Sequence, residues 1–262
     1  LCPSLSRMTP PAPKVILTGL GGTVAPVVAA ELTRRGHTCI RWNKDEVDPA
    51  DEAACARFID MQTPAWIAHI ATGPEEWCSH IARACAARDI RLIHTGSVSV
   101  YAGKQVGPFA VTDAPQPDDD YGRYKLRCEQ RIRDACPSAI IARIGWQIGE
   151  APGSNNMVDF LHKKAAEGSG RIEASDRWTP GTSFLVDTAV ALADLMERNQ
   201  PGVGGLYHVD GNPGLTFFEI ATRLARLHKK DWTIIPSATP TGSSRMVDPR
   251  IRVRSITEQL PA

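Results

Sequence analysis

Lys14-Val15-Ile16-Leu17-Thr18-Gly19-Leu20-Gly21-Gly22-Thr23-Val24-Ala25 is the stretch that decides the fold. Its first half is a short β-rich apolar run ending in glycine, and from Val24 to Arg35 apolar residues recur at helical spacing until Gly36 stops them. Strand, tight turn and helix follow in that order. Pro26 falls in the first helical turn, where a missing backbone N–H is tolerated. Gly19, Gly22 and Ala25 fit a Gly-x-x-Gly-x-x-Ala turn. Glycine lets the backbone turn sharply and lets a pyrophosphate approach the helix N-terminus, whose free N–H groups and positive dipole end bind anions. A glycine-rich turn alone is weak evidence, and the strand before it with the helix after it raises the dinucleotide reading.

Outward from this unit the alternation continues. Thr38 to Trp42 reads as a strand, Asp51 to Asp60 as a helix with Asp51 as N-cap, and Ala65 to Ala71 as a third apolar run. Glu75 to Arg88 is helical, and Arg91 to Val100 resumes strand. The polar loop Gly107 to Asp120 precedes a helix from about Tyr121 to Ala135, then Ala139 to Gly145 is a strand. Such alternation predicts an α/β fold, a Rossmann-type doubly wound parallel sheet. Beyond Gly149 the pattern is irregular: Asn155 to Glu167 and Thr188 to Arg198 read as helices, Gly205 to Val209 as a strand, Thr216 to Leu227 as a helix and Pro236 to Ser244 as a loop. The expected organisation is an NAD(P)-binding domain over 14–150 and a smaller C-terminal substrate lobe over 151–262. The two are partly interleaved, with the strand near 205–209 returning to the sheet.

Composition limits the function. The 262 residues carry 30 Lys plus Arg against 29 Asp plus Glu, a net charge of +1, so no broad field exists to hold nucleic acid or an anionic membrane. Seven cysteines form no Cys-x-x-Cys pair and sit near no histidine at ligand spacing, which predicts free thiols in a reducing cytoplasm and no metal. No apolar run approaches the roughly 20 residues that span a bilayer. Residues 1–13 lack the pattern of a signal peptide and read as a processed or expression-derived start outside the fold.

The second motif is Tyr121-Gly-Arg-Tyr124-Lys125, with Ser97 24 residues upstream at a strand end. Tyr121 and Lys125 are four apart and share a helix face, whereas Tyr124 points elsewhere. A nearby ammonium stabilises phenolate and lowers a pKa that starts near ~10 toward the range of a working acid or base. A serine hydroxyl beside the phenol can hold a substrate oxygen. Singly, a tyrosine and a lysine on an amphipathic helix are ordinary surface. Joined to the glycine turn and the serine, they form a set.

In these residues the sequence resembles the short-chain dehydrogenase/reductases, in particular the extended, nucleotide-sugar branch that includes the epimerases and dehydratases. Within it the likeness is to the dTDP-4-dehydrorhamnose reductase group, from Lys14 to about Ile251. The carrying segments are Thr18 to Ala25, Gly36-His37 through Asp51, His94 to Tyr101, Tyr121 to Lys125, Ala142 to Trp146, Asp176 to Thr182 and Gly205 to Gly211. The resemblance implies that Ser97 hydrogen-bonds the substrate carbonyl, Tyr121 donates the proton, and Lys125 binds the nicotinamide ribose while lowering the Tyr121 pKa. Ser99 and Thr95 are the alternatives to Ser97. The implied cofactor residues are Gly19, Leu20, Gly22, Thr23 and Val24 in the turn, Asp48 at the adenine, Ala68, His69, Ile70 and Ala71 along the third strand, and Gly145. Trp146, Asn156, Trp178, Pro180 and Thr182 are candidate walls of the substrate pocket. The short chain and the incomplete match of Ser243 to Asp248 leave the substrate open.

A carboxylate at the end of the second strand favours NAD(H), and a cation there accommodates the 2′-phosphate of NADP(H). Asn43 stands there, followed by Lys44, with Arg41 two residues earlier. NADP(H) is the expected cofactor and NAD(H) the alternative. The functional expectation is an NADPH-dependent reductase that transfers hydride to a carbonyl of a nucleotide-sugar-like or related polar substrate. The rival readings are an epimerase or dehydratase with retained NAD(P), and a non-catalytic cofactor-binding regulatory subunit. The resemblance also implies a homodimer.

Overall fold

The computed structural model describes residues 12–103, 106–150, 155–198 and 204–260. Most of the segment 1–13, read above as a start outside the fold, lies outside the described residues. The first half runs β1 (Lys14–Leu17), α1 (Ala25–Arg34), β2 (Thr38–Arg41), α2 (Glu52–Gln62), β3 (Trp66–His69), α3 (Glu75–Arg88) and β4 (Arg91–Ser97). It continues through β5 (Phe109–Ala110), α4 (Asp120–Ala135), β6 (Ile140–Ile144) and β7 (Trp146–Ile148). The second half holds α5 (Met157–Glu167), β8 (Arg171–Ser175), β9 (Trp178–Thr179), β10 (Thr182–Phe184) and α6 (Leu185–Arg198). It ends with β11 (Gly205–Val209), α7 (Phe217–Leu227), β12 (Thr233–Ser237), β13 (Gly242–Ser243) and β14 (Met246–Val247).

Six strands form one sheet in the order β11-β6-β4-β3-β1-β2, and all neighbours are parallel. The chain sets β2 on one side of β1 and then β3 on the other. That reversal creates a switch point beside β1, where open α/β sheets bind ligands outside the carboxyl ends of their strands. Buried strands explain the nearly continuous apolar runs. Side chains still alternate between faces: Ile16, Ile67, Leu92 and Ile141 join a core with residues of α2, α3 and α4. Val15, Leu17, Ala68, Ile93, Ile140 and Ala142 join a second core with Val28 and Leu32 of α1 and Leu192 and Met196 of α6. A third core gathers Ile148, Met157, Leu161, Ile172, Phe184, Phe217 and Leu224. Thr216 starts α7 through a reciprocal capping box with Glu219.

Several boundaries differ from the sequence reading. The strand expected to reach Val100 stops at Ser97, whose hydroxyl accepts the Ser99 N–H and starts a 3-10 turn over Val98–Tyr101. Helix α6 begins at Leu185 rather than Thr188, directly after β10 with no turn residue between them. The expected loop Pro236 to Ser244 contains the end of β12 and all of β13, which pair with β8 and β9. The loop Gly107 to Asp120 likewise holds β5, paired with β14.

A buried ion pair ties the layers together. Arg143 of β6 donates from Nη2 to Glu129 Oε2 of α4 at 2.7 Å and from Nε to Oε1 at 3.1 Å, with both side chains at most 3% exposed. Its Nη1 donates to the Tyr101 hydroxyl at 2.5 Å. His208 gives its Nδ1 proton to the Phe109 carbonyl at 3.1 Å, so Nε2 is the acceptor for Tyr101 O–H at 3.1 Å. Gly96 leaves the room: a Cβ there would stand 2.4 Å from Glu129 Oε1. Glu129→Ala strands a buried guanidinium and is expected to cost about 3–5 kcal/mol in urea unfolding, whereas Glu129→Leu combined with Arg143→Met recovers most of that loss.

Candidate active site

A cavity of about 830 Å³ opens at the carboxyl ends of the central strands, over the switch point. Its wall is formed by Gly19 to Ala25, Arg41 to Asp45, Ile70 to Thr72, Thr95 to Ser99, Ile144 to Gln147, Asn155 and Trp178, with Tyr121 and Lys125 from α4. Gly19 sits at φ +85°, and a Cβ there would meet Ala71 N at 3.0 Å, so only glycine fits. Gly22 N–H closes the turn on the Gly19 carbonyl at 2.8 Å. The first turns of α2, α4, α5 and α7 are capped by Asp51, Asp119, Asn156 and Thr216, whereas α1 and α3 have no side-chain cap, and of these two α1 opens on the cavity. Its N-terminal N–H groups and dipole end suit a pyrophosphate, and the residues present fit a dinucleotide.

Ser97, Tyr121 and Lys125 converge on one wall. Ser97 is buried and donates to Ser99 Oγ at 3.1 Å. Tyr121 is 48% exposed along the cleft. Lys125 is buried, donates Nζ to the Thr95 carbonyl at 3.0 Å, and lies 5.9 Å from the Tyr121 ring centroid. The pKa expectation needs correction. Loss of water raises the Tyr121 pKa, against the downward pull of its hydrogen bond with Ser97. Burial pushes the Lys125 ammonium down. Lys125 spends its closest contact on a carbonyl and does not lower the phenol.

At the far end, Lys44 Nζ donates to the Thr72 carbonyl at 3.0 Å and lies over the Trp77 ring at 5.4 Å. Asn43 Nδ2 is taken by Glu46 Oε1 at 2.8 Å. Arg41 is exposed on the wall without an ion pair or side-chain hydrogen bond among the described residues. Asp48 does not line the cavity, because its carboxylate turns back to accept the Ala50 N–H at 2.9 Å.

Ala68 and His69 are also absent from the wall, being buried inside β3. Thr18 Oγ1 accepts the Ile70 and Ala71 N–H groups at 2.9 and 3.0 Å, so its own proton goes to His69 Nδ1 at 3.0 Å. Nε2 then faces Cys78 Sγ at 3.4 Å. His69 thus holds β1 against β3. Ile70, Ala71 and Gly145 do line the cleft.

On the substrate side, Trp146 and Trp178 line the cavity with ring centroids 6.5 Å apart, backed by Phe160 and Phe217. Asn156, Pro180 and Thr182 do not. Asn156 caps α5 by accepting the Asp159 N–H at 3.1 Å, the Pro180 carbonyl accepts from Asn212 at 2.8 Å, and Thr182 donates to the Trp146 carbonyl at 2.5 Å. Each locks backbone instead of facing the cleft. Sequence reasoning passed over Thr72, Asp45, Asn155 and Gln147 on the wall. Gln147 carried a signal, a lone amide in the apolar stretch Trp146–Ile148.

The RmlD substrate binding domain family matches residues 75–256. The chain belongs to this family. It is 28% identical over 211 residues to dTDP-4-dehydrorhamnose reductase of Mycobacterium tuberculosis, covering 72% of this chain and 67% of the relative. The chain thus spans about two thirds of that relative's length. Among solved structures it resembles dTDP-4-dehydrorhamnose reductase of Bacillus anthracis in complex with NADP, with TM-score 0.82, 18% identity and coverage of 95% and 97% of the two chains. It also resembles WbmH of Bordetella bronchiseptica in complex with NAD+, with TM-score 0.75, 16% identity and coverage of 96% and 97%. At these identities the structural likeness establishes the α/β fold. No helix among the described residues is long and apolar enough to cross a membrane.

Burial, followed by the charges of Lys125 and Lys44, lowers the His69 pKa from its ordinary 6.5 to about 3. Between these values the unfolded chain binds a proton that the folded chain refuses, so stability is complete above pH 6.5 and lost on acidification. At roughly 1.4 kcal/mol per pKa unit, His69 accounts for a loss of roughly 2 kcal/mol from pH 7 to pH 5. Chemical denaturation of His69→Gln across that range is expected to show a shallower slope than the parent.

Proposed function

We propose that this protein is an NADPH-dependent reductase that delivers a proton from Tyr121 to the carbonyl oxygen of a keto sugar carried on dTDP. The observation that carries this reading is the convergence of Ser97, Tyr121 and Lys125 on the wall that also holds the glycine turn and the uncapped start of α1. The names of the family relatives support the substrate class. NADPH supplies the hydride when bound. Tyr121 donates its phenolic proton as charge develops on the substrate oxygen, and its raised pKa keeps it protonated at neutral pH. Ser97 orients that oxygen against the phenol. Lys125, anchored on the Thr95 carbonyl, keeps two N–H groups for the nicotinamide ribose.

Residues 14–150 together with α6 and β11 form the dinucleotide unit in this reading, and the remaining C-terminal residues form the substrate lobe. Arg41, with Lys44 beside it, takes the 2′-phosphate, while Asp45 on the same wall leaves NAD(H) as a weaker alternative. The six described cysteines are free thiols, which suits a reducing cytoplasm.

Tyr121→Phe is expected to lower kcat by about 10²- to 10⁴-fold with NADPH affinity retained, as read by steady-state kinetics and cofactor titration. Near-normal turnover would overturn the mechanism. Arg41→Ala is expected to weaken NADPH by about tenfold to a hundredfold while leaving NADH almost unchanged, the loss appropriate to a charged hydrogen bond. Net NADPH oxidation with dTDP-4-dehydrorhamnose separates reduction from epimerisation, which consumes none.

A further inference from the structure

The link from β3 to α3 runs over residues 70–74, and Ile70, Ala71 and Thr72 within it form one edge of the cavity. Its backbone polar groups need partners, and three side chains from distant parts of the sequence supply them. Thr18 Oγ1 accepts the Ile70 and Ala71 N–H groups, and Lys44 Nζ donates to the Thr72 carbonyl. Gly73 is left to Tyr124 of α4. That phenol accepts the Gly73 N–H at 3.0 Å and donates to the Gly73 carbonyl at 2.9 Å, a reciprocal pair between residues 51 apart in sequence. Burial pushes the Tyr124 phenol up, so it keeps the proton that the carbonyl takes. The Trp77 ring crowds Gly73 as well, since a Cβ there would stand 2.8 Å from the ring carbon Cε3. Tyr124 does not line the cavity, but it directly precedes Lys125, which does. One turn of α4 therefore carries both the reacting groups and the brace of another cavity edge.

We propose that Tyr124 is a positioning residue of the cofactor cleft, which holds residues 70–73 against α4 in the arrangement that takes the dinucleotide. Without its hydroxyl the Gly73 backbone groups turn to water, and the segment spends part of its time displaced. A site that is competent for only roughly a tenth to a third of the time binds about three- to tenfold more weakly. Helix α4 itself stays in place through Glu129 and Arg143, so Tyr121 and Lys125 keep their aim and the chemical step keeps its rate. The loss falls on both coenzymes, because the brace acts on the segment and not on the 2′-phosphate. The assignment rests on the reductase reading for the identity of the ligand.

The test titrates the full chain and Tyr124→Phe with NADPH and with NADH, measures steady-state kinetics with dTDP-4-dehydrorhamnose, and records the midpoint of urea unfolding. In the variant, Kd for each coenzyme rises about three- to tenfold, while kcat at saturating NADPH and KM for the sugar nucleotide are little altered. Unchanged affinity for both coenzymes overturns the proposal even if the urea midpoint falls, since Tyr124 would then only hold the fold together. A loss confined to NADPH overturns it too, because that traces to Lys44, and so does a fall in kcat with both affinities kept. Tyr124→Met is read in the same way if Tyr124→Phe fails to fold. A parent chain that binds neither coenzyme fails the reductase reading instead, and the two failures are thereby distinct.

Discussion

The ion pair between Glu129 and Arg143 is the constraint on which the site depends. Tyr121, Lys125 and Glu129 are spaced four residues apart on α4 and therefore share one face of the helix. Clamping Glu129 to β6 fixes the rotation of that helix, and so fixes the direction in which the phenol and the ammonium point. Arg143 also holds Tyr101, which closes the 3-10 turn that carries Ser99. Such a pair adds little net stability over apolar side chains of equal volume, because desolvating two charges offsets most of their attraction. Its use here is geometric: it sets α4, β6 and the end of β4 in one register.

The electrostatics of the cleft follow from burial more than from charge. Lys125 is desolvated, and its ammonium bonds a backbone carbonyl that no protonation event can remove. Tyr121 is pushed toward its neutral form. A neutral phenol suits donation, since it keeps its proton until charge develops on the substrate oxygen. His69 and His94, behind this wall, are both driven neutral by burial, with Lys125 as the next cause, so one positive charge is left at the reacting end.

The sheet was legible because its strands are buried on both faces and read as apolar runs, and because Gly19 and Gly36 mark the turns. Ser97, Tyr121 and Lys125 were legible because their chemistry depends on spacing along one strand end and one helix face. The substrate-side residues were not. Asn156, Pro180 and Thr182 are polar or rigid in sequence, but their groups are taken up by a helix cap and by contacts 32 and 36 residues distant, the latter from Thr182 to Trp146. Asp48 and His69 failed for the same reason: local hydrogen bonds claim them, and no one-dimensional pattern shows whether a side chain turns back on its own turn or out into a cleft. Arg41 stands out only in three dimensions, where Asn43 and Lys44 spend their polar groups on Glu46 and Thr72.

Helix α6 and strand β11 come from the second half of the chain, yet one covers α1 and the other closes the sheet beside β6. During synthesis, the core that Val28 and Leu32 share with β1 and β3 therefore emerges without the cover of Leu192 and Met196. The nascent segment presents an incomplete apolar surface until residues beyond Gly205 leave the ribosome. At ordinary elongation rates of about 5 to 20 residues per second this interval lasts several seconds, long enough for a chaperone to shield it and for truncated products to aggregate instead of folding.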